Sequence, residues 1–197
     1  MYVPDAFRLD DRTSLLTLAA SHPFASVITH DERGVQVSHV PLLVNAERSS
    51  LRGHVARANP QVEHLAEGRY ALAIFHGPHG YVSPSVYAEQ PSVPTWNYVV
   101  VHVHGRARRV DETTLRSILD EMVARFDTTG WRLYTGEEFL RPALDAIAGF
   151  EIDIDRLEGK QKLSQNRSPE DRARVIEWLE RGDASSREVA SLMRAAS

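Results

Sequence analysis

The chain contains no cysteine. That excludes disulfides, thiolate nucleophiles, iron–sulfur clusters and cysteine-type zinc sites together. Long apolar runs are missing as well: no stretch approaches the roughly 20 residues a membrane-spanning helix needs. The opening MYVPDAFRLDD lacks the basic-then-apolar layout of a secretory leader, so a cytoplasmic protein is expected. Strong charge of one sign is also absent. The 23 basic residues stand against 27 acidic ones, a net charge of −4, and nucleic-acid binders usually carry a basic footprint. No internal repeat, GxGxxG, P-loop or HExxH is present, and the nearest glycine cluster, Gly77-Pro78-His79-Gly80, has the wrong spacing. Rossmann and Walker nucleotide sites are therefore not expected.

What is there suits one domain with decoration: 197 residues, 42% of them hydrophobic, are enough for a real core. Residues 10–21 read as a short helix, ended by His22 and Pro23. Strands follow at 24–29, 35–44 and 51–55, and Asn59-Pro60 opens a helix as N-cap and first helical residue. A buried strand at 70–75 leads into a long loop, 76–94, of a kind that is usually functional. Residues 97–110 form a long strand, and 111–126 the clearest helix, with Leu115, Ile118, Leu119, Met122, Val123 and Phe126 on one face. A helix at 137–147, an alternating strand at 149–157, a helix at 168–180 and a last helix from Ser185 or Ser186 complete the chain. About six strands in hairpin-like succession, with helices inserted, favour an antiparallel barrel or an α+β fold over a doubly wound sheet. Residues 1–167 read as the barrel domain, and 168–197 as helices packed on it rather than an independent domain.

The stretch PTWNYVVVHVHG, 94–105, crowds costly side chains onto one strand. Its odd positions, Asn97, Val99, Val101, Val103, Gly105 and Ala107, make a core face. Its even positions, Tyr98, Val100, His102, His104, Arg106 and Arg108, make an amphipathic face that turns cationic. His102 and His104 have metal-ligand spacing, but no accompanying pattern supplies a third ligand. No metal site is assigned, and the face is read as solvated or as part of an interface.

Other segments are rich in hydrogen-bond donors. Pro41 interrupts strand 35–44, which marks an edge or bulge, with Ser38 and His39 beside it. In LRGHVARANP a strand delivers Gly53 and His54, and Arg57 arrives just before the helix at Asn59. Free N–H groups, a helix dipole and a guanidinium together suit a phosphate. GKQKLSQNRS, 159–168, adds Lys160, Lys162, Ser164, Gln165 and Asn166.

VSHVPLL, GHVARANPQ, HGPHGYVSPSVY, VPTWNY with HVHG, and KLSQN occur in this order in one family. The chain resembles the PaiB-like proteins, described as FMN-binding negative transcriptional regulators. The resemblance runs from MYVPDAF through the helix after KLSQN. It implies a six-stranded split β-barrel related to pyridoxamine-phosphate oxidases, a homodimer with FMN at the subunit interface, and a role in repressing sporulation and protease production. By motif position it implies that Arg57, with Gly53, His54 and Asn59, meets the FMN phosphate. Related barrels carry an Arg-Lys pair at this turn, where this chain has Ala56-Arg57-Ala58. Ser38, His39 and Pro41 would meet the flavin's polar edge, with Thr95, Trp96 and Asn97 at the ring. Lys160 to Asn166 would close over the cofactor, and the cationic face of strand 97–108 would lie near the dimer contact. Two alternatives stay open: an FMN-dependent oxidoreductase acting on a small substrate, and a haem-binding barrel. The last two helices superficially suggest a helix-turn-helix, but their few cations do not support direct DNA binding.

Overall fold

The computed structural model describes residues 1–132 and 136–196, with all their side chains but those of Glu67 and Phe139. Among these residues the strands are β1 (Arg8–Leu9), β2 (Phe24–Asp31), β3 (Gly34–Pro41), β4 (Leu43–Asn45), β5 (Ser50–Ala56), β6 (Glu67–Val82), β7 (Thr95–Arg109) and β8 (Ile147–Lys162). The helices are α1 (Arg12–Ser21), α2 (Gln61–Ala66), α3 (Glu112–Phe126), α4 (Glu137–Asp145), α5 (Pro169–Glu180) and α6 (Ala184–Ala195). Strand order is β3-β2-β6-β7-β8-β5-β4, with β1 on β8. The pairs β1–β8, β2–β3, β2–β6, β4–β5 and β5–β8 are all antiparallel. This is the α+β, split-barrel type of fold. The sequence pattern gives about six strands; the further two are the short β1 and β4. No helix among the described residues is long and apolar enough to cross a membrane.

The chain divides into two compact units. One gathers Met1–Leu15, His76–Val101 and Glu158–Ser197; the other gathers Leu16–Phe75 and His102–Leu157. Strands β6, β7 and β8 each give a segment to both.

In the second unit, β2 pairs with β3 from Phe24↔Pro41 to Asp31↔Gly34. After Pro41 the ladder breaks, and Leu42 N donates instead to Pro23 O (2.9 Å). Proline ends the strand because it brings no N–H. Helix α3 is capped by Asp111, which accepts from Thr114 N (2.8 Å), and it buries Leu115, Ile118 and Met122. Phe126, expected on that face, is instead exposed beneath Arg125 (5.8 Å to its ring). The last residue of an amphipathic stripe runs past the surface it covers. Complete burial of Ile118 contributes about 1.5–3 kcal/mol. Gly105 is required by close approach: a Cβ there would stand 2.0 Å from Asp153 O. A buried chain of polar groups ties α2 to β2. His64 joins Thr29 Oγ1 (2.8 Å) and Asp31 Oδ2 (3.0 Å), and Gln61 Nε2 donates to Thr29 Oγ1 and to Val27 O (3.0 Å each).

In the first unit, β1 lies along β8 with Arg8 opposite Lys160. Ser168 caps α5, accepting from Asp171 N (3.1 Å), and α5 and α6 bury Val175, Leu179, Val189 and Met193. Strand β6 continues to Val82, through residues expected to be loop. Its glycines are strand residues with crowded surroundings: a Cβ on Gly77 would meet Val99 Cβ at 3.1 Å, and one on Gly80 would meet Leu179 Cδ2 at 2.6 Å. The loop proper begins at Ser83 and is pinned. Asp171 Oδ1 accepts from Ala88 N (2.7 Å), and the Arg167 guanidinium lies 4.1 Å from the Tyr87 ring centroid. Helix α6 begins at Ala184, capped by Asp183, slightly earlier than expected.

Candidate functional site

In the first unit, the start of β7 meets the end of β8 and the turn that follows. Lys162 Nζ donates to Thr95 Oγ1 and to Trp96 O (2.9 Å). Burial lowers the Lys162 pKa below the ordinary lysine value, and the positive charges of Lys160 and Arg167 lower it further. Lys160 Nζ lies 5.4 Å from the Tyr98 ring centroid and 5.7 Å from that of Tyr2, which suits cation–π attraction. These two lysines are the only ones in the chain. Trp96 is half exposed, with Tyr81 edge-on (5.7 Å between centroids) and His79 at 6.0 Å.

The turn itself is internally fastened. Asn97 is fully buried; its Nδ2 donates to Ser164 Oγ (2.9 Å) and approaches Met193 Sδ (3.5 Å). Ser164 is buried with φ +59°, the left-handed conformation a tight turn needs. Gln165 spans the turn, accepting from Leu163 N (2.7 Å) and donating to Gln161 O (2.5 Å). Asn166 is exposed. Thr95, Trp96, Asn97, Lys160, Lys162, Ser164, Gln165 and Asn166 thus belong to one local cluster. Within it Asn97, Ser164 and Gln165 hold the turn, while Trp96, Lys160, Lys162 and Asn166 offer surface to a ligand. Sequence reasoning missed Tyr98 and Arg167 as members. The signal was the sequence neighbourhood of each: Tyr98 follows Thr95-Trp96-Asn97 directly, and Arg167 follows KLSQN.

The other seven expected residues lie in the second unit. Ser38 Oγ accepts from Asn59 Nδ2 (2.8 Å), and Asn59 Oδ1 caps α2 by accepting from Gln61 N (2.9 Å). Helix α2 spans only six residues, so its dipole is small. His39 Nδ1 hydrogen-bonds with Ser26 Oγ (3.0 Å). Gly53 is buried where a Cβ would reach Pro41 O (3.2 Å) and Leu42 Cδ2 (2.7 Å). His54 is half-buried, its Nδ1 without a hydrogen-bond partner, and burial pushes its pKa below the ordinary histidine value. Arg57 turns toward α4: its Nε donates to Asp145 O (2.6 Å) and its Nη2 to Ile147 O (2.8 Å). Asp145 ends α4 and Ile147 begins β8, so the guanidinium fastens the junction between them. Arg57 also lines a cavity of about 390 Å3 with Arg109 and Arg141, over an apolar floor of Leu115 and Leu144. Arg141 is paired with Glu112 (2.9 Å) and Asp145 (3.5 Å).

The even face of β7 is less open than its pattern implies. Val100 and His104 are buried, and His104 hydrogen-bonds with Tyr70 Oη. Arg108 pairs with Glu151 and with Asp153 (3.5 Å), and Arg106 donates to Gly68 O (3.4 Å).

Chemically, the first-unit cluster sets aromatic surface beside three cations. It suits a planar ligand that carries a strong negative charge, the ring on Trp96 or Tyr98 and the anion near Lys160, Lys162 and Arg167.

Comparison with known proteins gives the family of the chain. The family model described as "Putative FMN-binding domain" matches residues 1–156. "Protease synthase and sporulation protein PAI 2" of Bacillus subtilis (strain 168) is 30% identical over 201 residues, covering 98% of this chain and 96% of that protein. Among solved structures, the FAD and haem binding protein from Mycobacterium smegmatis superposes with a TM-score of 0.62 at 19% identity, covering 84% of this chain and 78% of that one. The flavocytochrome Anf3 from Azotobacter vinelandii gives 0.63 at 18%, covering 85% and 75%. At such identities these two establish the fold alone.

Proposed function

This chain belongs to the family described as "Putative FMN-binding domain", and from that membership and its homology to protein PAI 2 we propose that it binds FMN and acts as a flavin-responsive negative regulator of gene expression. One observation carries the reading. The only two lysines of the chain, joined by Arg167, stand at a rigid turn beside Trp96 and Tyr98. Under this reading Lys160, Lys162 and Arg167 hold the phosphate, and Trp96 and Tyr98 give the isoalloxazine ring its apolar wall. FMN supplies redox chemistry when bound. The protein's part is to bind, orient and exclude water.

In the second unit Arg109 lines a cavity beside Arg57, whose guanidinium is engaged on backbone carbonyls; this rival phosphate seat and the turn are tested one at a time. Flavin absorbance and FMN retention after gel filtration are measured for the wild type, for a Lys160→Ala/Lys162→Ala double variant and for Arg109→Ala. Loss of retention in the lysine variant alone supports the turn. Loss in Arg109→Ala alone moves the phosphate to the other seat. A wild-type protein that takes up no FMN on reconstitution refutes the reading. Oxidation of a reduced nicotinamide by the FMN-loaded protein would replace the regulator with an oxidoreductase.

We also propose that the protein is a homodimer. Phe24, Val35 and Val37 are 65%, 60% and 49% exposed on β2 and β3, and Val37 stands opposite Ile28, which in turn faces Leu72 of β6. Ser26, His39 and His30 interleave with these apolar residues on the same face, and a sheet face with this much exposed apolar surface suits a second copy of the chain.

A further inference from the structure

Between the end of α5 and the start of α6 lies a cavity of about 410 Å3. Its walls are Tyr81 of β6, Trp178 and Leu179 of α5, and the turn Arg181-Gly182-Asp183 that joins the helices. Trp178 and Tyr81 are 40% and 43% exposed. Two large rings left open on one cavity are surface that a ligand would cover at a gain.

The rings are held in place. Trp178 Nε1 donates to Tyr81 O (2.9 Å), which fixes the indole. Ser185 Oγ donates to His79 O (2.9 Å) and accepts from His79 N (2.8 Å), stapling the end of β6 to the start of α6. Gly80 sits tightly against Leu179 and Ser186, where a Cβ would lie at 2.6 and 3.2 Å, so that wall cannot slide. A cavity whose walls are already fastened loses little freedom when a ligand enters.

The charges around it are unequal in what they still need. Asp183 already caps α6, accepting from Ser186 N (2.8 Å). Arg187 is spent on Gly182 O (2.6 Å). Arg181 is exposed, and among the described residues its side chain has no partner. The group seeking a counter-charge is therefore a guanidinium, which favours a carboxylate or phosphate. The Asp183 carboxylate repels an anion from the α6 side, so an acidic ligand has one favourable orientation. The volume is at the lower end of small-ligand sites and holds one or two fused rings.

We propose that this cavity is a binding site for a planar aromatic acid, with the ring on Trp178 and Tyr81 and the acidic group on Arg181. It shares no residue with those offered for FMN, although its Tyr81 meets Trp96 edge-on (5.7 Å between centroids), and it stands whether or not the flavin reading does. It also gives the α5–α6 pair a role that does not involve DNA: the turn between the helices, which would lead in a helix-turn-helix, here closes one side of a cavity.

The test is equilibrium dialysis of the full-length protein against indole-3-acetate, with indole as the uncharged counterpart. The wild type is expected to bind indole-3-acetate at one saturable site and to prefer it to indole. Arg181→Gln, an exposed change that leaves the fold intact, is expected to weaken indole-3-acetate about tenfold and to leave indole unchanged. Trp178→Ala is expected to weaken both, with Trp178→Phe restoring most of the loss; far-ultraviolet circular dichroism checks that each variant is folded. Equal affinity of wild type and Arg181→Gln for indole-3-acetate would overturn the assignment. So would the absence of saturation up to about 5 mM, a ceiling that corresponds to very weak binding. Displacement of the probe by FMN that persists in the Lys160→Ala/Lys162→Ala variant would also overturn it, because FMN would then occupy the cavity itself.

Discussion

Lys162 sits where its charge is least welcome, part-buried between Trp96 O and Thr95, with Lys160 and Arg167 nearby. A phosphate bound there would raise its pKa back toward the ordinary value. Affinity is therefore complete while the free protein's Lys162 is protonated, and it declines as pH rises through that lowered pKa. FMN fluorescence quenching followed against pH is expected to weaken earlier in the alkaline range than an ordinary lysine dictates, and Lys162→Arg is expected to delay the decline. His54 works in the opposite sense on stability. Burial lowers its folded pKa, so below about 6.5, the ordinary histidine value, the unfolded chain binds the extra proton and stability falls with pH. Thermal melts between pH 7 and pH 5 are expected to show that fall, and His54→Gln to flatten it.

At the scale of elements, Arg57 ties the end of α4 to the start of β8. Two charge-assisted bonds to backbone carbonyls make Arg57→Ala destabilising by about 1–3 kcal/mol, whereas Arg109→Ala removes no hydrogen bond or ion pair among the described residues and is expected to leave stability unchanged. Urea midpoints of the two variants check the contrast. The sequence suggested Arg57 as a ligand cation because it lies between a strand and a helix start. It could not show that carbonyls 88 and 90 positions downstream would reach the guanidinium, since that pairing exists only once the chain has folded. Periodicity did better where neighbours repeat. Every odd position of β7 from Asn97 to Ala107 is buried as the alternation requires. The even positions divide because Tyr70, from another strand, covers His104. Glycine misled in β6, where Gly77 and Gly80 resemble loop punctuation but serve close contacts with Val99 and Leu179. At the turn after β8, the run of polar residues from Lys160 to Asn166 was legible from composition. That Asn97, Ser164 and Gln165 would turn inward was not, because each is satisfied by a partner that no local pattern names.

For the whole molecule, the proposed homodimer depends on the apolar face of β2 and β3. Val37→Glu places a charge on that face, opposite Ile28, and is expected to shift light scattering from dimer to monomer at micromolar protein, with little change in the monomer's secondary structure. A wild type that scatters as a monomer would remove the dimer from the account. The two compact units raise a separate matter of inheritance. The first is stitched from three separate stretches of chain, and β6, β7 and β8 each change membership partway along. No single cut in the gene yields either unit whole. Every border between them falls inside an element, so a break there severs α1, β6, β7 or β8.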